Sequence, residues 1–168
     1  NPDQVFIWGD SSGGHTAVLA GLTCNDNILD TEDYKEFSCS VKGIIDYYGV
    51  TDITDPEGFP GAIMPQKADT PEGKLIGGYD INEHPELAAP TVAMNYISED
   101  KEIPPVLIFH GTQDKLVSFG QSVKLYEKLV SCGKKVDFYA IKDADHGGPA
   151  FWSNEVLDIV ERFINENK

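Results

Sequence analysis

Basic residues and long apolar runs are both scarce in this chain. Thirteen Lys and Arg stand against 28 Asp and Glu, which gives a net charge of −15. A field of that sign repels phosphate backbones, so we expect no nucleic-acid partner, and it also keeps a protein soluble. No apolar run approaches the ~20 residues that a membrane-spanning helix requires, so we expect no membrane span.

Cysteine is also rare. Cys24, Cys39 and Cys132 form no C-x-x-C pair and lack the spacing of metal ligands, so we expect no metal site. Reduced thiols are the prediction; Cys24 and Cys39 flank a polar segment, and a disulfide between them is the alternative in a secreted protein. The sequence does not begin with Met, so its start says nothing about a leader. The compartment stays open between the cytoplasm, slightly favoured, and secretion.

Strand-like and helix-like segments alternate along the chain. Short apolar runs predict strands at 5–8, 41–48, 106–109 and 136–141. Segments with helical periodicity predict helices at 14–22, 118–131 and 153–165. Strands that alternate with helices are parallel. We therefore predict an α/β fold in a single domain over residues 1–168, with a parallel sheet covered by helices on both faces.

The two later helices are predicted to pack through apolar stripes. The stripe residues are Phe119, Val123, Tyr126 and Val130 in the first and Val156, Ile159, Val160 and Phe163 in the second.

Residues 51–105 break this regularity. Eight of the ten prolines lie in the span, and its apolar residues are scattered. Short helices are predicted after Thr70-Pro71 and after Asn82-Glu83, each with a capping residue near its start. We interpret the span as an irregular, cap-like excursion over the top of the sheet and not as a second domain.

The first predicted strand runs into a turn that contains a serine. Residues 9–13 read GDSSG, which matches the pattern G-x-S-x-G. The pattern alone is weak, but a sharp turn between a strand and a helix lifts a serine hydroxyl above the edge of the sheet. The flanking glycines avoid a collision across that turn, and the helix directs free N–H groups toward it. Ser11 is therefore the candidate nucleophile. A phosphate-binding loop is disfavoured because no Lys follows the glycines.

A serine nucleophile needs a base, and the chain offers four histidines. His146 lies in the loop after the fourth predicted strand, and parallel strands place such loops at the sheet edge that carries Ser11. We interpret His15 as a packing or capping residue, His84 as solvated, and His110 as a hydrogen-bonded support at the end of the third strand. His146 is thus the candidate base.

An acid must orient that base. Asp114 occupies the loop after the third predicted strand, and Asp52 follows the second. Asp114 is the first choice and Asp52 the second, because an acid can also reach from the neighbouring strand. Asp143 and Asp145 are too close in sequence to His146 to face its ring.

Four segments carry a resemblance to a known family. They read WGDSSGGH, LIGG, PPVLIFHGTQDKLVSFGQS and DADHGGPAFW. Together they resemble the esterase/lipase branch of the α/β-hydrolase superfamily, most of all bacterial carboxylesterases related to acetylxylan and feruloyl esterases. The serine, acid, histidine order along the chain is typical of α/β-hydrolases. The resemblance implies hydrolysis of short acyl or plant-polysaccharide esters without metal or organic cofactor. It implies Ser11 as nucleophile, Asp114 as acid, His146 as base, and the Ser12 N–H as one oxyanion donor.

The chain departs from that family before the serine turn. The family has earlier strands and a glycine-rich His-Gly-Gly loop that supplies further oxyanion donors, and no segment here matches them. We therefore expect the C-terminal portion of a larger hydrolase, with weak or absent turnover on its own. Without those strands, strand 5–8 has a free edge. We expect residues 1–168 to form a homo-oligomer or aggregate through that edge, or to be held by a separate N-terminal piece.

Large side chains in the sequence offer a substrate pocket. The candidates, each of them equally a candidate core residue, are Tyr47, Tyr48, Phe59, Ile63, Met64, Tyr79 and Tyr96. Two other functions fit the serine turn: a serine peptidase of the prolyl-oligopeptidase type, and a non-catalytic hydrolase remnant that serves as a binding module. Retention of all three candidate catalytic residues in order disfavours a long-decayed remnant.

Overall fold

Four parallel strands form the centre of the fold. The computed structural model describes residues 1, 3–24, 26, 28–29, 31, 33–34, 36–61 and 66–168. The strands are β1 (Phe6–Asp10), β2 (Gly43–Tyr47), β3 (Val106–Gly111) and β4 (Val136–Ile141). They lie side by side in chain order, and all three pairings are parallel, as predicted.

Strand pairing sets where the strands end. β1 continues to Asp10 and β3 to Gly111, beyond the predicted 5–8 and 106–109, because each of these residues pairs with a residue of the next strand. β2 begins at Gly43 and not at the predicted residue 41. As a result β1 runs directly into Ser11.

Five helices accompany the sheet within the residues that the structure describes. They are α1 (Ser12–Thr23), α2 (Pro71–Leu75), α3 (Pro85–Ala88), α4 (Phe119–Ser131) and α5 (Asn154–Asn167). Short 3₁₀ segments occupy Ala89–Thr91, Ala93–Tyr96 and Pro149–Trp152. The bounds of α1, α4 and α5 lie within two residues of the prediction, and α5 buries Val156, Val160 and Phe163 of its predicted stripe.

Successive strand residues face opposite sides of the sheet and build two apolar clusters. On one side Ile44, Val106 and Ile108 pack with residues of α1 and α4. On the other side Ile45, Leu107 and Phe109 pack with residues of α5. Helices therefore cover both faces, which confirms the predicted α/β architecture.

The apolar stripe predicted for α4 holds in part: Phe119 and Tyr126 pack against Phe138, but the stripe does not supply the buried residues of the helix. The buried residues of α4 are Gln121, Ser122, Leu125 and Leu129, whereas Val130 is 50% exposed. The Gln121 side chain accepts hydrogen bonds from the N–H groups of Thr51 and Asp52, and the Ser122 hydroxyl lies 2.7 Å from Nδ1 of His110. Polar groups with buried partners thus occupy the packed face, and an apolar pattern cannot detect them.

Residues 51–105 carry two short helices and an apolar cluster of their own. α2 begins after Thr70, whose hydroxyl accepts a hydrogen bond from a helix N–H, as predicted. α3 begins after His84, and no side chain caps its start, so the cap predicted near Asn82 is wrong. The backbone N–H of Asn82 donates to the Asp80 carboxylate. The buried members of the cluster are Ile53, Phe59, Ile76, Ile81 and Ala88.

The cysteine side chains are free thiols. Cys24 is buried and Cys39 is exposed, and the Cys39 thiol lies 2.6 Å from the carbonyl oxygen of Cys24. Within the described part of the chain, no helix has the length and apolar character needed to cross a membrane.

Candidate active site

Ser11 occupies the sharp turn between β1 and α1. Its backbone has φ 52° and ψ −119°, in the positive-φ region that non-glycine residues rarely adopt. Strained conformations of this kind cluster at functional sites, where the surrounding structure holds them in place. The predicted strand–turn–helix context of the serine is confirmed.

Only one of the two flanking glycines is required by close packing. A Cβ on Gly9 would lie 2.1 Å from the carbonyl oxygen of Gly13, which no side chain could tolerate. A Cβ on Gly13 would meet nothing nearer than Asp10 Oδ1 at 3.9 Å. The steric explanation offered for both glycines therefore holds for Gly9 and is wrong for Gly13.

His146 lies beside Ser11, although 135 residues separate them in sequence. Nε2 of His146 is 2.8 Å from Oγ of Ser11, and Nδ1 is 2.7 Å from Oδ2 of Asp114. An ionised carboxylate can only accept, so Nδ1 carries the proton and donates to Asp114. Nε2 is then free to accept the hydroxyl proton of Ser11. The structure brings the three predicted residues together, with His146 between Ser11 and Asp114.

Asp114 is held by donors on both of its oxygens. Oδ1 accepts from the N–H groups of Leu116 and Val117, both at 2.9 Å. Oδ2 accepts from His146 and also lies 3.2 Å from Nε2 of His110. Burial by itself raises the pKa of the Asp114 carboxyl, but these hydrogen bonds outweigh it, so the pKa lies well below its usual range.

His110 is buried and hydrogen-bonded, as predicted, and it also lies beside the acid. Its Nδ1 lies 2.7 Å from the Ser122 hydroxyl, and its Nε2 lies 3.0 Å from the carbonyl oxygen of Val117. Because a carbonyl can only accept, Nε2 carries a proton and is also the donor that faces Asp114.

The two remaining histidines contact other groups. His15 is buried in α1 with Nε2 2.8 Å from the carbonyl oxygen of Thr91, and burial lowers its pKa in spite of that hydrogen bond. His84 is partly exposed, and its Nδ1 lies 3.2 Å from Glu86. The packing interpretation of His15 is confirmed.

The alternative acids serve local structure. Asp52 Oδ1 accepts from the N–H and hydroxyl of Thr54, so Asp52, the second choice, is not the partner of His146. Asp145 accepts from the backbone and the ammonium group of Lys115.

Ser12 is the first residue of α1. Its N–H is among the four at a helix start that have no acceptor within the helix, and the helix dipole adds positive potential there. This N–H is therefore available to a negatively charged oxygen next to Ser11.

A cleft of about 410 Å³ opens at Ser11 and His146. Its other lining residues are Ser12, Val50, Phe59, Gly61, Thr70, Pro71, Glu72, Leu116 and Val117. Most of this wall is apolar, and Glu72 adds a carboxyl group to it. The cleft can hold a small, mainly uncharged group next to the serine.

Of the side chains predicted to shape a pocket, Phe59 lines this cleft. Tyr47 and Tyr48 are core residues, and Tyr79 and Tyr96 are not among the lining residues. Ile63 and Met64 lie outside the described residues. Tyr48 also contacts the base, since the centroid of its ring lies 4.7 Å from that of the His146 ring.

Asp46, in β2, is a buried acid that the sequence did not single out. Its Oδ1 accepts from the N–H of Gly49 at 2.9 Å, and its Oδ2 has no hydrogen-bond partner among the described residues. Burial raises the pKa of Asp46 to about 7, against smaller opposing effects of His110 and of the Gly49 N–H. The carboxyl group is therefore mostly protonated below neutral pH.

Residues 1–129 match the protein-family model BD-FAE. The match includes Ser11 and Asp114 and ends before His146. It covers well over half of the chain.

Two named proteins are similar to this chain in sequence. The chain is 29% identical to Esterase LipQ of Mycobacterium tuberculosis over 147 residues, which are 87% of this chain and 33% of that protein. It is 30% identical over 141 residues to the probable carboxylic ester hydrolase LipM of the same organism, covering 83% of this chain and 31% of LipM. The chain thus spans about a third of the length of these curated relatives.

A solved structure is also similar to this chain. A truncated form of a carbohydrate esterase from gut microbiota superposes with a TM-score of 0.86 at 28% identity, covering 99% of this chain and 60% of that one. With the family match and the parallel sheet, this shows that the chain belongs to the BD-FAE family and has an α/β-hydrolase fold.

Proposed function

We propose that the protein hydrolyses carboxylic esters through an acyl-enzyme formed on Ser11. The observation that carries the proposal is the relay of two hydrogen bonds, 2.8 Å from Ser11 to His146 and 2.7 Å from His146 to Asp114. The names of the relatives, an esterase and a probable carboxylic ester hydrolase, support the same reaction class.

The relay suits acyl transfer in two steps. Ser11 Oγ attacks the ester carbonyl carbon while His146 Nε2 takes the hydroxyl proton. The bond to the alcohol oxygen then breaks, and Nε2 returns the proton to that leaving oxygen. Water repeats the sequence on the acyl-enzyme, giving its proton to His146, and the carboxylic acid departs as Ser11 regains a proton. General base assistance of this kind contributes about 10²–10⁴ in rate.

Asp114 and Ser12 have supporting roles in this proposal. Because the pKa of Asp114 is low, its carboxylate stays ionised and stabilises the imidazolium that His146 becomes. The Ser12 N–H donates to the oxyanion that forms as the carbonyl is attacked. The resemblance assigns further donors to a glycine-rich loop ahead of the serine turn. Loss of one donor costs about 10²–10³ in rate, so residues 1–168 alone are expected to turn over slowly.

Esters of short acyl groups are the proposed substrates, including acyl groups carried on plant polysaccharides. The apolar wall formed by Val50, Phe59 and Leu116 suits a small acyl group. The name of the superposed carbohydrate esterase supports a sugar as the alcohol.

The test is steady-state hydrolysis by the intact protein of p-nitrophenyl acetate and of aminoacyl p-nitroanilides. We expect turnover of the ester, at least 100-fold slower turnover of the anilides, and loss of ester turnover in Ser11→Ala. Preferred cleavage of the anilides would indicate a peptidase. Absence of turnover with both substrates would indicate a binding module.

A further inference from the structure

From within the core, Tyr48 contacts Asp10, the residue before Ser11, and the ring of His146. We propose that Tyr48 is a positioning residue that fixes the serine turn and the His146 ring relative to each other. This inference rests on the proposed function. Nothing in the sequence pattern distinguishes this tyrosine from a core residue, because the role depends on contacts with distant segments.

The first contact is with the serine turn. The Tyr48 hydroxyl donates to Oδ2 of Asp10 at 3.1 Å, and Asp10 is the residue directly before Ser11. Burial raises the pKa of Tyr48 to about 12, and the nearby Asp10 charge acts in the same direction. The hydroxyl therefore keeps its proton at neutral pH and remains a donor to the carboxylate.

The second contact is with the base. The rings of Tyr48 and His146 meet edge to face, with centroids 4.7 Å apart and planes at 67°. Phe151 packs against Tyr48 at 4.4 Å and 69°. A Cβ on Gly147 would lie 3.1 Å from the Tyr48 hydroxyl oxygen, so the backbone next to His146 fits closely over this ring. The imidazole therefore packs against Tyr48 while it hydrogen-bonds Ser11 and Asp114.

The backbone of Tyr48 is strained. Its φ is 42°, a conformation that is a genuine outlier for a bulky residue and that glycine adopts without penalty. Its N–H donates to the carbonyl oxygen of Phe109 at 2.7 Å, which holds the strained segment against β3. A tyrosine at a position where glycine would carry no backbone strain indicates a role for the tyrosine side chain.

These contacts predict what loss of the hydroxyl would do. In Tyr48→Phe the ring remains against His146, but the hydrogen bond to Asp10 is lost. The serine turn then samples orientations in which Ser11 is out of line with Nε2. We expect an acylation rate about tenfold lower, as hydrogen bonds to charged groups are of that strength, with KM changed less than about twofold.

The experiment measures the rate at which a fluorophosphonate modifies Ser11 in the intact protein, together with kcat and KM for p-nitrophenyl acetate. The variants are Tyr48→Phe, Asp10→Ala, their double mutant, and Asp10→Asn, whose amide oxygen can still accept. Tyr47→Phe is the matched control, because the Tyr47 hydroxyl is buried and has no hydrogen-bond partner among the described residues. Thermal unfolding of each variant separates positioning from loss of fold.

Tyr48→Phe and Asp10→Ala should each slow the labelling about tenfold, and the double mutant should be no slower than either one, because both changes break the same bond. Asp10→Asn should recover most of the rate, and Tyr47→Phe should match the wild type. Labelling of Tyr48→Phe at the wild-type rate, or losses that multiply in the double mutant, would overturn the inference alone. A wild-type protein that is not labelled at Ser11 would overturn the proposed function, and this inference with it.

Discussion

His146 Nδ1 lies 2.7 Å from Asp114 Oδ2, across two loops that follow neighbouring strands. Four donors surround the carboxylate, and it is fully buried at the side chain. The acid is therefore fixed by His110 and by the backbone of its own loop, and it holds Nδ1 of the His146 ring.

Asp114→Asn should reduce kcat/KM for p-nitrophenyl acetate by a factor on the order of 10³–10⁴. The substituted amide keeps the shape of the side chain but loses its charge, and its N–H₂ group favours the wrong histidine tautomer. Asp52→Asn is the control, since the Asp52 carboxylate accepts a hydrogen bond from Thr54 and not from His146. The kcat/KM of this variant should stay within about threefold of the wild type. Equal losses in the two variants would contradict the assignment of Asp114.

Asp46→Asn should change how stability depends on pH. The pKa of Asp46 is about 7 in the folded protein, above its ordinary 3.8, so the folded state disfavours ionisation. The stabilising contribution of the protonated carboxyl is complete below pH 4 and is lost as pH rises toward 7, by up to about 4 kcal/mol at about 1.4 kcal/mol per pH unit. Asparagine cannot ionise and avoids this loss.

Urea unfolding at pH 4.5 and pH 8 measures that difference. The stability of Asp46→Asn relative to the wild type should rise between the two pH values. The matched control is Asp137→Asn, which removes one carboxyl group at an exposed position on β4. A relative stability of Asp46→Asn that is the same at both pH values would refute the prediction.

Gly9→Ala should destabilise the protein strongly, because the added methyl group would overlap the carbonyl of Gly13. Overpacking costs about 1–3 kcal/mol, and contact with rigid backbone places this case at the upper end or beyond. Gly13→Ala, whose nearest contact would be Asp10 Oδ1 at 3.9 Å, should be neutral or slightly stabilising, because alanine favours a helix. Thermal denaturation of both variants compares their stabilities. Similar melting temperatures would contradict the close contact between Gly9 and the Gly13 carbonyl.

The edge of β1 should mediate self-association of residues 1–168. Among the described strands, β1 pairs only with β2, and Val5 is 44% exposed beside it. A free strand edge pairs readily with another chain, and a charged side chain there prevents pairing. Light scattering should find dimers or larger species for residues 1–168 with the unchanged sequence and a monomer for the same segment carrying Val5→Lys. Leu157→Lys, at a 37% exposed position on α5, should leave association unchanged. A monomer for residues 1–168 with the unchanged sequence would count against this edge as an interface.

Local patterns were sufficient for the strands, the main helices and the three residues of the relay. The turn at Ser11 and the loops of Asp114 and His146 are each recognisable within a short segment, and parallel strands dictate that those loops share an edge. The predicted ends of the strands differ from the observed ones by one or two residues, because pairing with neighbouring strands, and not amino-acid composition, decides where a strand ends.

What the sequence could not predict depends on contacts between distant segments. The buried polar face of α4 reflects the partners of Gln121 and Ser122, which lie in other elements. Tyr48 and Asp46 fall in an apolar strand pattern that gives no sign of a strained backbone or of an unpaired buried oxygen. The steric explanation for Gly13 was wrong because only Gly9 lies directly against backbone atoms across the turn.

The central claim is that His146 activates the Ser11 hydroxyl, and the position of a covalent fluorophosphonate adduct tests it most directly. The intact protein, its His146→Ala variant and its His110→Ala variant would be treated with the probe, digested and mapped by mass spectrometry. We predict a single adduct on Ser11 in the wild type, a slower adduct on Ser11 with His110→Ala, and none with His146→Ala. An adduct on another residue, or modification of Ser11 at the same rate without His146, would contradict the account.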